Sequence, residues 1–120
     1  MMRTMLKSKI SYAIVTEAQL YYQGSITLDE KIIQSAGLYA GEKVEVLNLN
    51  NGQRFETYVI KGEPDSGVVC LNGPAARLGC EGDKLIILSY GAYSDEEIET
   101  LKVKYVELNE SNRIKNSYLA

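Results

Sequence analysis

Short apolar segments separated by turn residues fill most of this chain. They are rich in β-branched and other apolar residues, which is typical of strands. Seven of them are predicted as strands, over residues 10–15, 25–28, 44–49, 54–60, 68–71, 84–89 and 103–108. The third and fourth flank Asn51-Gly52, a strong hairpin signal. Seven strands in 120 residues favour a small barrel or a sandwich.

The helical signals are brief. Asp29 is a suitable cap for a helix over 30–36, and Gly37 supplies the C-terminal stop. Residues 16–19 and 94–97 both match the capping box, in which side chains satisfy the first free amides of a helix. Both segments are therefore predicted to begin short helices.

Two further segments complete the organisation of the chain. The turn Asn72-Gly73-Pro74 should lead into a short helix, because proline suits the first helical position. Residues 109–120 are polar and are predicted to be a loosely held tail. We find no internal repeat, and 120 residues make a single domain.

Composition and charge narrow the choice of partners. The net charge of −3 gives no sign of a nucleic-acid surface, and no apolar run approaches the roughly 20 residues that span a bilayer. Cys70 and Cys80 lack the spacing of a metal site, and Cys70 lies in an apolar run that predicts a buried free thiol. A cytoplasmic protein without a disulfide or a bound metal fits these features.

The absence of histidine limits the possible chemistry. It excludes Ser–His and Cys–His nucleophile pairs and removes the commonest zinc ligand. The chain also lacks the glycine-rich motifs of dinucleotide and nucleotide binding. If the chain is an enzyme, its electrophile must come from another source.

One dipeptide, Gly24-Ser25, would by itself indicate only a turn. However, it lies at a characteristic spacing from residues 1–10, 51–58 and 71–77. In that order these segments resemble the pyruvoyl-dependent aspartate 1-decarboxylase family, and the resemblance extends from residue 1 to about residue 109. It implies a mainly β fold, a small double-psi β-barrel with short helices. It also implies a homotetramer with sites between subunits.

In that family the Gly-Ser bond is where the chain cuts itself. The resemblance therefore implies cleavage between Gly24 and Ser25 into residues 1–24 (the β chain) and 25–120 (the α chain). Ser25 would become a covalently bound pyruvoyl group, which forms a Schiff base with the substrate without a metal or pyridoxal phosphate. Glycine suits the position before the serine because it tolerates unusual backbone angles and leaves its carbonyl open to attack.

The resemblance also implies roles for other side chains. Lys9 and Arg54 would hold substrate carboxylate, for which arginine offers a planar fork and lysine a mobile point charge. Tyr58 would be the proton donor, and a phenol is protonated at neutral pH. Thr57 would hydrogen-bond at the carbonyl of Gly24 and also contact the substrate. Packing within the barrel is the alternative role for Tyr58.

Thr57 and Tyr58 lie on opposite faces of a regular strand. Both can therefore reach one pocket only if the chain departs from a single flat strand. We predict a bulge near Thr57, or else a site reached from the end of the strand or from another subunit.

The segment over 72–76 resembles the Asn-Gly-Ala-Ala-Ala loop of the family, and a plain helix-entry turn is its alternative reading. The resemblance assigns Asn72, Gly73, Pro74 and Ala75 to substrate binding. Pro74 replaces the usual alanine and has no N–H, so an amide contact from this position is impossible and Gly73, Ala75 and the side chain of Asn72 are left for it. Ser11 stands where many members carry histidine, and it shares a strand face with Lys9. We therefore expect an altered rate or pH dependence of processing. Tyr22 also matches the family and would line the pocket or simply pack.

Decarboxylation of L-aspartate to β-alanine and CO₂, a step in pantothenate biosynthesis, is the function that the resemblance implies. Two alternatives stay open from the residues. An unprocessed barrel could act as a non-catalytic binding module, for which Ser11 and Pro74 are the only support. A pyruvoyl enzyme could also act on another acidic amino acid such as glutamate, because one methylene changes binding by only ~1–3 kcal/mol.

Overall fold

The computed structural model describes all 120 residues, and strands account for most of the ordered chain. The nine strands are β1 (Met2–Ile14), β2 (Glu17–Gln19), β3 (Ser25–Asp29), β4 (Lys43–Asn48), β5 (Arg54–Gly62), β6 (Val69–Asn72), β7 (Lys84–Ser94), β8 (Lys104–Leu108) and β9 (Ile114–Leu119). The helices are α1 (Glu30–Ala36), a 3-10 helix (Gly73–Arg77) and α2 (Asp95–Ile98). All strands join in the order β2-β6-β3-β5-β4-β7-β1-β8-β9. The prediction of a small, mainly β, barrel-like fold with short helices is confirmed.

The strands bury one face because their apolar residues alternate with polar ones. Ile10 of β1, Ile87 of β7 and Val46 of β4 lie side by side in register, and all three are inaccessible to solvent. They belong to a core of 19 buried residues. The neighbouring positions Lys9, Leu88 and Glu45 are also in register, so their side chains share the outer face.

Two of the helix predictions rest on local capping and are confirmed. Asp29 accepts a hydrogen bond from the Lys31 amide at 2.8 Å, and α1 ends at Gly37 in the left-handed conformation. Ser94 and Glu97 form the reciprocal capping box that starts α2. The 3-10 helix likewise carries proline in its first turn, as predicted.

The helix predicted at residues 16–19 is wrong, because this segment forms β2. The hydroxyl of Thr16 donates to the carbonyl of Val69 and accepts from its amide, both at 3.0 Å. These bonds hold the start of β2 against β6, so the hydroxyl of Thr16 does not cap a helix. Glu17 then pairs with Cys70 in a parallel ladder. Tertiary pairing overrides the local capping signal here.

The prediction of a loosely held tail over residues 109–120 is also wrong, because β9 pairs with β8 in an antiparallel ladder. The connecting turn is fixed by Asn112, which is buried and forms three hydrogen bonds of 2.8 Å to the backbone of Ile14 and Gly67. Tyr105 and Tyr118 stack across the two strands with ring centres 5.2 Å apart. No helix is long and apolar enough to cross a bilayer.

Candidate active site

A cleft of about 300 Å³ opens beside β5 at the point where β3 begins. β3 pairs with β5 only from Ile26, which lies opposite Val59, so the first half of β5 has a free edge on this side. Continuing that register backward by two residues places Gly24 opposite Thr57. The cleft follows this free edge and is lined by Gly24, Phe55, Glu56, Thr57, Tyr58, Pro74, Ala75 and Leu78.

Ser25 is completely buried, although the preceding Gly24 is exposed. In the antiparallel ladder between β3 and β6, Ser25 lies opposite Asn72. Asn72 Nδ2 donates to Ser25 Oγ at 2.9 Å, and Oγ donates to the carbonyl of Gln23 at 3.3 Å. The Gly24–Ser25 bond therefore runs from the cleft into the interior, and the serine hydroxyl is held between a donor and an acceptor.

The turn before the 3-10 helix packs closely on Gly24. Gly73 has a φ of 65°, and a Cβ there would lie 3.0 Å from Gly24 Cα and 2.6 Å from the carbonyl oxygen of Tyr22. Pro74 Cδ lies 3.5 Å from the place of a Cβ on Gly24. Pro74 and Ala75 reach the cleft, whereas Gly73 is buried behind them. The side chain of Tyr22 is half exposed and does not line this cleft.

Thr57 and Tyr58 share the cleft without a bulge. The ladder between β4 and β5 is continuous from Tyr58, opposite Lys43, to Arg54, opposite Leu47. The predicted bulge near Thr57 is therefore wrong. Both side chains line the cleft because it lies along a free strand edge, where the two faces of β5 open into the same space.

Arg54 lies in a second, larger cleft of about 550 Å³ on the outer face of the sheet. Its Nη2 is 3.2 Å from Glu45 Oε1, and the same oxygen accepts a hydrogen bond from the Tyr90 hydroxyl at 3.0 Å. Burial, followed by the neighbouring Glu45, raises the pKa of Tyr90, which therefore stays a donor. Lys43 and Glu56 form a second ion pair of 2.8 Å in this cleft. The positive charge of the predicted carboxylate binder is thus already compensated in part.

Within one chain, Lys9 and Ser11 lie close neither to Arg54 nor to Gly24. Both are half-buried on the outer face of β1, which is separated from β5 in the sheet by the two strands β7 and β4. Ser11, Ile86, Leu47 and Arg54 form one row across these four strands. Lys9 takes part in none of the five ion pairs of the chain.

The structure also places groups around Ser25 that the sequence reasoning did not identify. Thr27 accepts a second hydrogen bond from Asn72 Nδ2 at 2.9 Å, and the thiol of Cys70 donates to Asn72 Oδ1 at 3.1 Å. The carbonyl of Gln23 accepts from Ser25. The alternation of Ser25 with Thr27 along β3 was a visible signal, but its link to β6 depends on strand pairing.

This geometry suits attack by a hydroxyl on the adjacent carbonyl, because Ser25 Oγ is ordered beside the exposed Gly24. No group of three histidine, cysteine or carboxylate side chains is arranged to hold a metal ion.

Comparison with known proteins identifies relatives that cover most of the chain. Residues 1–115 match the family described as aspartate decarboxylase. A relative from Caldicellulosiruptor bescii named aspartate 1-decarboxylase is 56% identical over 109 residues, covering 91% of this chain and 85% of the relative. Relatives of the same name from Acetivibrio thermocellus and Listeria monocytogenes are 55% and 54% identical, covering 94% and 95% of this chain and 90% of each relative. The chain belongs to the aspartate decarboxylase family.

Proposed function

We propose that this chain decarboxylates L-aspartate to β-alanine and CO₂ in the cytoplasm, as a step of pantothenate synthesis, after it has cut itself between Gly24 and Ser25. Family membership supports the overall reaction, because the three relatives named above are aspartate 1-decarboxylases. The observation that carries the cleavage is the buried Ser25 hydroxyl, hydrogen-bonded by Asn72 and adjacent to a glycine that faces the cleft.

The cleavage needs no group from outside the chain except water. Ser25 Oγ forms a bond to the carbonyl carbon of Gly24 while the C–N bond breaks, and the hydroxyl proton ends on the freed nitrogen. Loss of the Ser25 α-proton then breaks the Cβ–O bond, which leaves a carboxylate on Gly24 and dehydroalanine at position 25. Water replaces the nitrogen of dehydroalanine, ammonia leaves, and the pyruvoyl group remains.

When present, that group supplies an electron sink for the loss of CO₂. Tyr58 lines the same cleft as Gly24, which supports its role as the group that returns a proton to the substrate carbon. Thr57 lies beside it in the cleft, and this position supports a role for its hydroxyl at the scissile carbonyl and at the substrate. The backbones of Gly73 and Ala75 are the remaining polar groups of the turn that could hold a carboxylate, since Pro74 has no N–H.

The two cations, Lys9 and Arg54, serve the site from a neighbouring subunit of a homotetramer. In one chain Arg54 lines a different cleft from Gly24, and Lys9 lines neither of these clefts. Both cations lie on an outer face that also carries the half-buried Leu47, Ile86 and Leu88. Apolar residues between charged ones suit a face that packs on another subunit.

Intact-mass measurement tests the cleavage. We expect fragments 1–24 and 25–120, the second lighter by one ammonia than the same fragment beginning with serine. A chain that stays whole after prolonged incubation would overturn the proposal. Comparison of kcat/KM for aspartate and glutamate tests the substrate, and a preference for glutamate would contradict it.

Complementation tests the shared site. Arg54→Ala and Ser25→Ala should each be inactive alone but recover activity when co-expressed, because some sites then receive an intact arginine and an intact serine from different chains. Sedimentation should give a tetramer for both variants. Tetramers without recovered activity would show that Arg54 and Ser25 act within one chain.

A further inference from the structure

The polar face of the β3–β6 ladder contains a buried thiol with no part in the proposed chemistry. Cys70 lies directly opposite Thr27, as Asn72 lies opposite Ser25, so the four side chains share one face. The other face carries Ile26, Leu28, Val69 and Leu71, all buried in the apolar core. Cys70 therefore belongs by register to the group around Ser25, and not to the core.

The hydrogen bonds within this group have a definite direction. Asn72 Nδ2 donates to Ser25 Oγ and to Thr27 Oγ1, each at 2.9 Å, so both of its amide hydrogens are used. Asn72 Oδ1 accepts from Cys70 Sγ at 3.1 Å. Burial, with a smaller contribution from Glu17, raises the pKa of Cys70 to about 11, so the thiol remains protonated and able to donate at neutral pH.

An asparagine amide can turn by half a rotation and exchange its oxygen for its nitrogen. Serine and threonine hydroxyls tolerate either orientation, because each can donate or accept. Cys70 breaks this symmetry, since a thiol opposite the amide nitrogen would leave that nitrogen without a good acceptor. The orientation of Asn72 therefore depends on the group at position 70.

We infer that Cys70 is a positioning residue for self-cleavage: its thiol holds Asn72 with Nδ2 toward Ser25 Oγ. This inference rests on the proposed cleavage at Gly24–Ser25. A donor at Oγ stabilises the negative charge that grows on the oxygen as its proton leaves, and it keeps the hydroxyl proton directed at the carbonyl of Gln23. Without the thiol, the amide of Asn72 populates both orientations, and the attack of Ser25 Oγ on the Gly24 carbonyl becomes slower.

The test compares the cleavage rate of freshly isolated precursors by intact mass. Cys70→Ala should be about fivefold slower than the unsubstituted chain, the worth of one hydrogen bond. Cys70→Ser keeps a side chain of similar shape, but its hydroxyl can accept as well as donate. It therefore leaves Asn72 free in both orientations, and its cleavage should be slowed about as much as that of Cys70→Ala. Cys80→Ala removes the other, exposed cysteine and should leave the rate unchanged.

A double-mutant cycle separates positioning from packing. In an Asn72→Ala background the Cys70→Ala change should have no further effect on the rate, because the thiol acts only through Asn72. An unchanged rate for Cys70→Ala, equal slowing in both backgrounds, or a serine variant as fast as the unsubstituted chain would each overturn the inference. The unsubstituted chain is the control for the proposed function. If it stays whole, the proposed self-cleavage is wrong, whatever the effect of Cys70.

Discussion

Gly73 lies directly against the backbone of Gly24. A Cβ added at Gly73 would lie 2.9 Å from the nitrogen of Gly24 and 2.6 Å from the carbonyl oxygen of Tyr22, distances that real Cβ atoms do not adopt. The neighbours are backbone atoms, so no flexible side chain can move aside. The turn before the 3-10 helix therefore fixes the segment that contains the scissile bond.

Gly73→Ala should slow the cleavage at least about tenfold. Its φ of 65° disfavours a side chain by roughly 1–2 kcal/mol, and the collision must additionally move either the turn or Gly24. Incubation of the purified precursor followed by intact mass gives the rate. Alanine cleaving as fast as glycine would show that the close approach has no part in placing the bond.

Gly82→Ala is the matched control for this change. Gly82 also has a left-handed conformation, with a φ of 93°, but a Cβ there meets no atom within 4 Å. It should lose stability by a similar amount and cleave at the normal rate. The two variants therefore separate backbone strain from displacement of Gly24.

Tyr58→Phe should cut itself normally and then turn over slowly. The ring, which is 38% exposed at the cleft, is retained while the only transferable proton is lost. We expect kcat to fall by about 10²–10⁴, with KM changing much less, because general-acid catalysis acts in the transition state. Tyr39→Phe, on a side chain 78% exposed and outside both clefts, is the control and should retain kcat. A Tyr58→Phe enzyme with normal kcat would assign the proton to another group.

Arg54→Lys should raise KM for aspartate roughly tenfold while leaving self-cleavage unchanged. Lysine keeps the charge and loses the planar fork that binds a carboxylate through two hydrogen bonds. Cleavage is spared because the Ser25 hydroxyl is held by Asn72 and by the carbonyl of Gln23, and Arg54 bonds to neither. Arg3→Lys, in the exposed ion pair with Asp95, is the matched control. Slower cleavage in Arg54→Lys would place this side chain at the scissile bond.

Local chemistry explains which elements the sequence predicted well. Helix α1 has its bounds set by Asp29 and Gly37, both adjacent to it in sequence, and its predicted limits agree with the structure. The strands on either side of Asn51-Gly52 were also placed within about two residues. In each case the deciding hydrogen bonds join residues close in the chain.

The two failed elements depend on distant partners. Thr16 could cap a helix, but it bonds instead to Val69, 53 residues away. β9 is exposed throughout, so no apolar alternation marks it as a strand. It is ordered by pairing with β8 and by Asn112, whose bonds to Ile14 span 98 residues. Neither contact can be read from a local pattern.

The same distinction holds at the site. The resemblance named Gly24, Thr57 and Tyr58, and the structure brings them to one cleft. It did not suggest the hydrogen bond from Cys70 to Asn72, because that bond follows from the register of β6 against β3. The resemblance also assigned Arg54 to the same site, but within one chain Arg54 lines a different cleft.

The carboxylate of Asp83 is hydrogen-bonded at the C-terminal end of β4, and from this we expect the stability of the fold to depend on pH. Its Oδ2 accepts from Asn48 Nδ2 at 2.9 Å and from the amide of Cys80 at 3.0 Å. Both hydrogen bonds lower the pKa of Asp83 below its ordinary value, and the bond from Asn48 has the larger effect. A carboxyl whose folded pKa is depressed stabilises the fold above its unfolded pKa, and that contribution is lost as the pH falls through the folded value.

Asp83→Asn should therefore lower the free energy of unfolding by about 1 kcal/mol at pH 7, with solvent screening keeping the loss small. Below about pH 4 the difference from the aspartate chain should shrink, because the carboxyl itself becomes protonated. Urea titrations in a Ser25→Ala background keep every chain uncut and the unfolding reversible. Glu81→Gln, an exposed carboxylate two residues away, should change stability little at either pH. A constant deficit for Asp83→Asn from pH 7 to pH 3 would mean that shape, and not the charge accepting these hydrogen bonds, ties the Cys80 turn to β4.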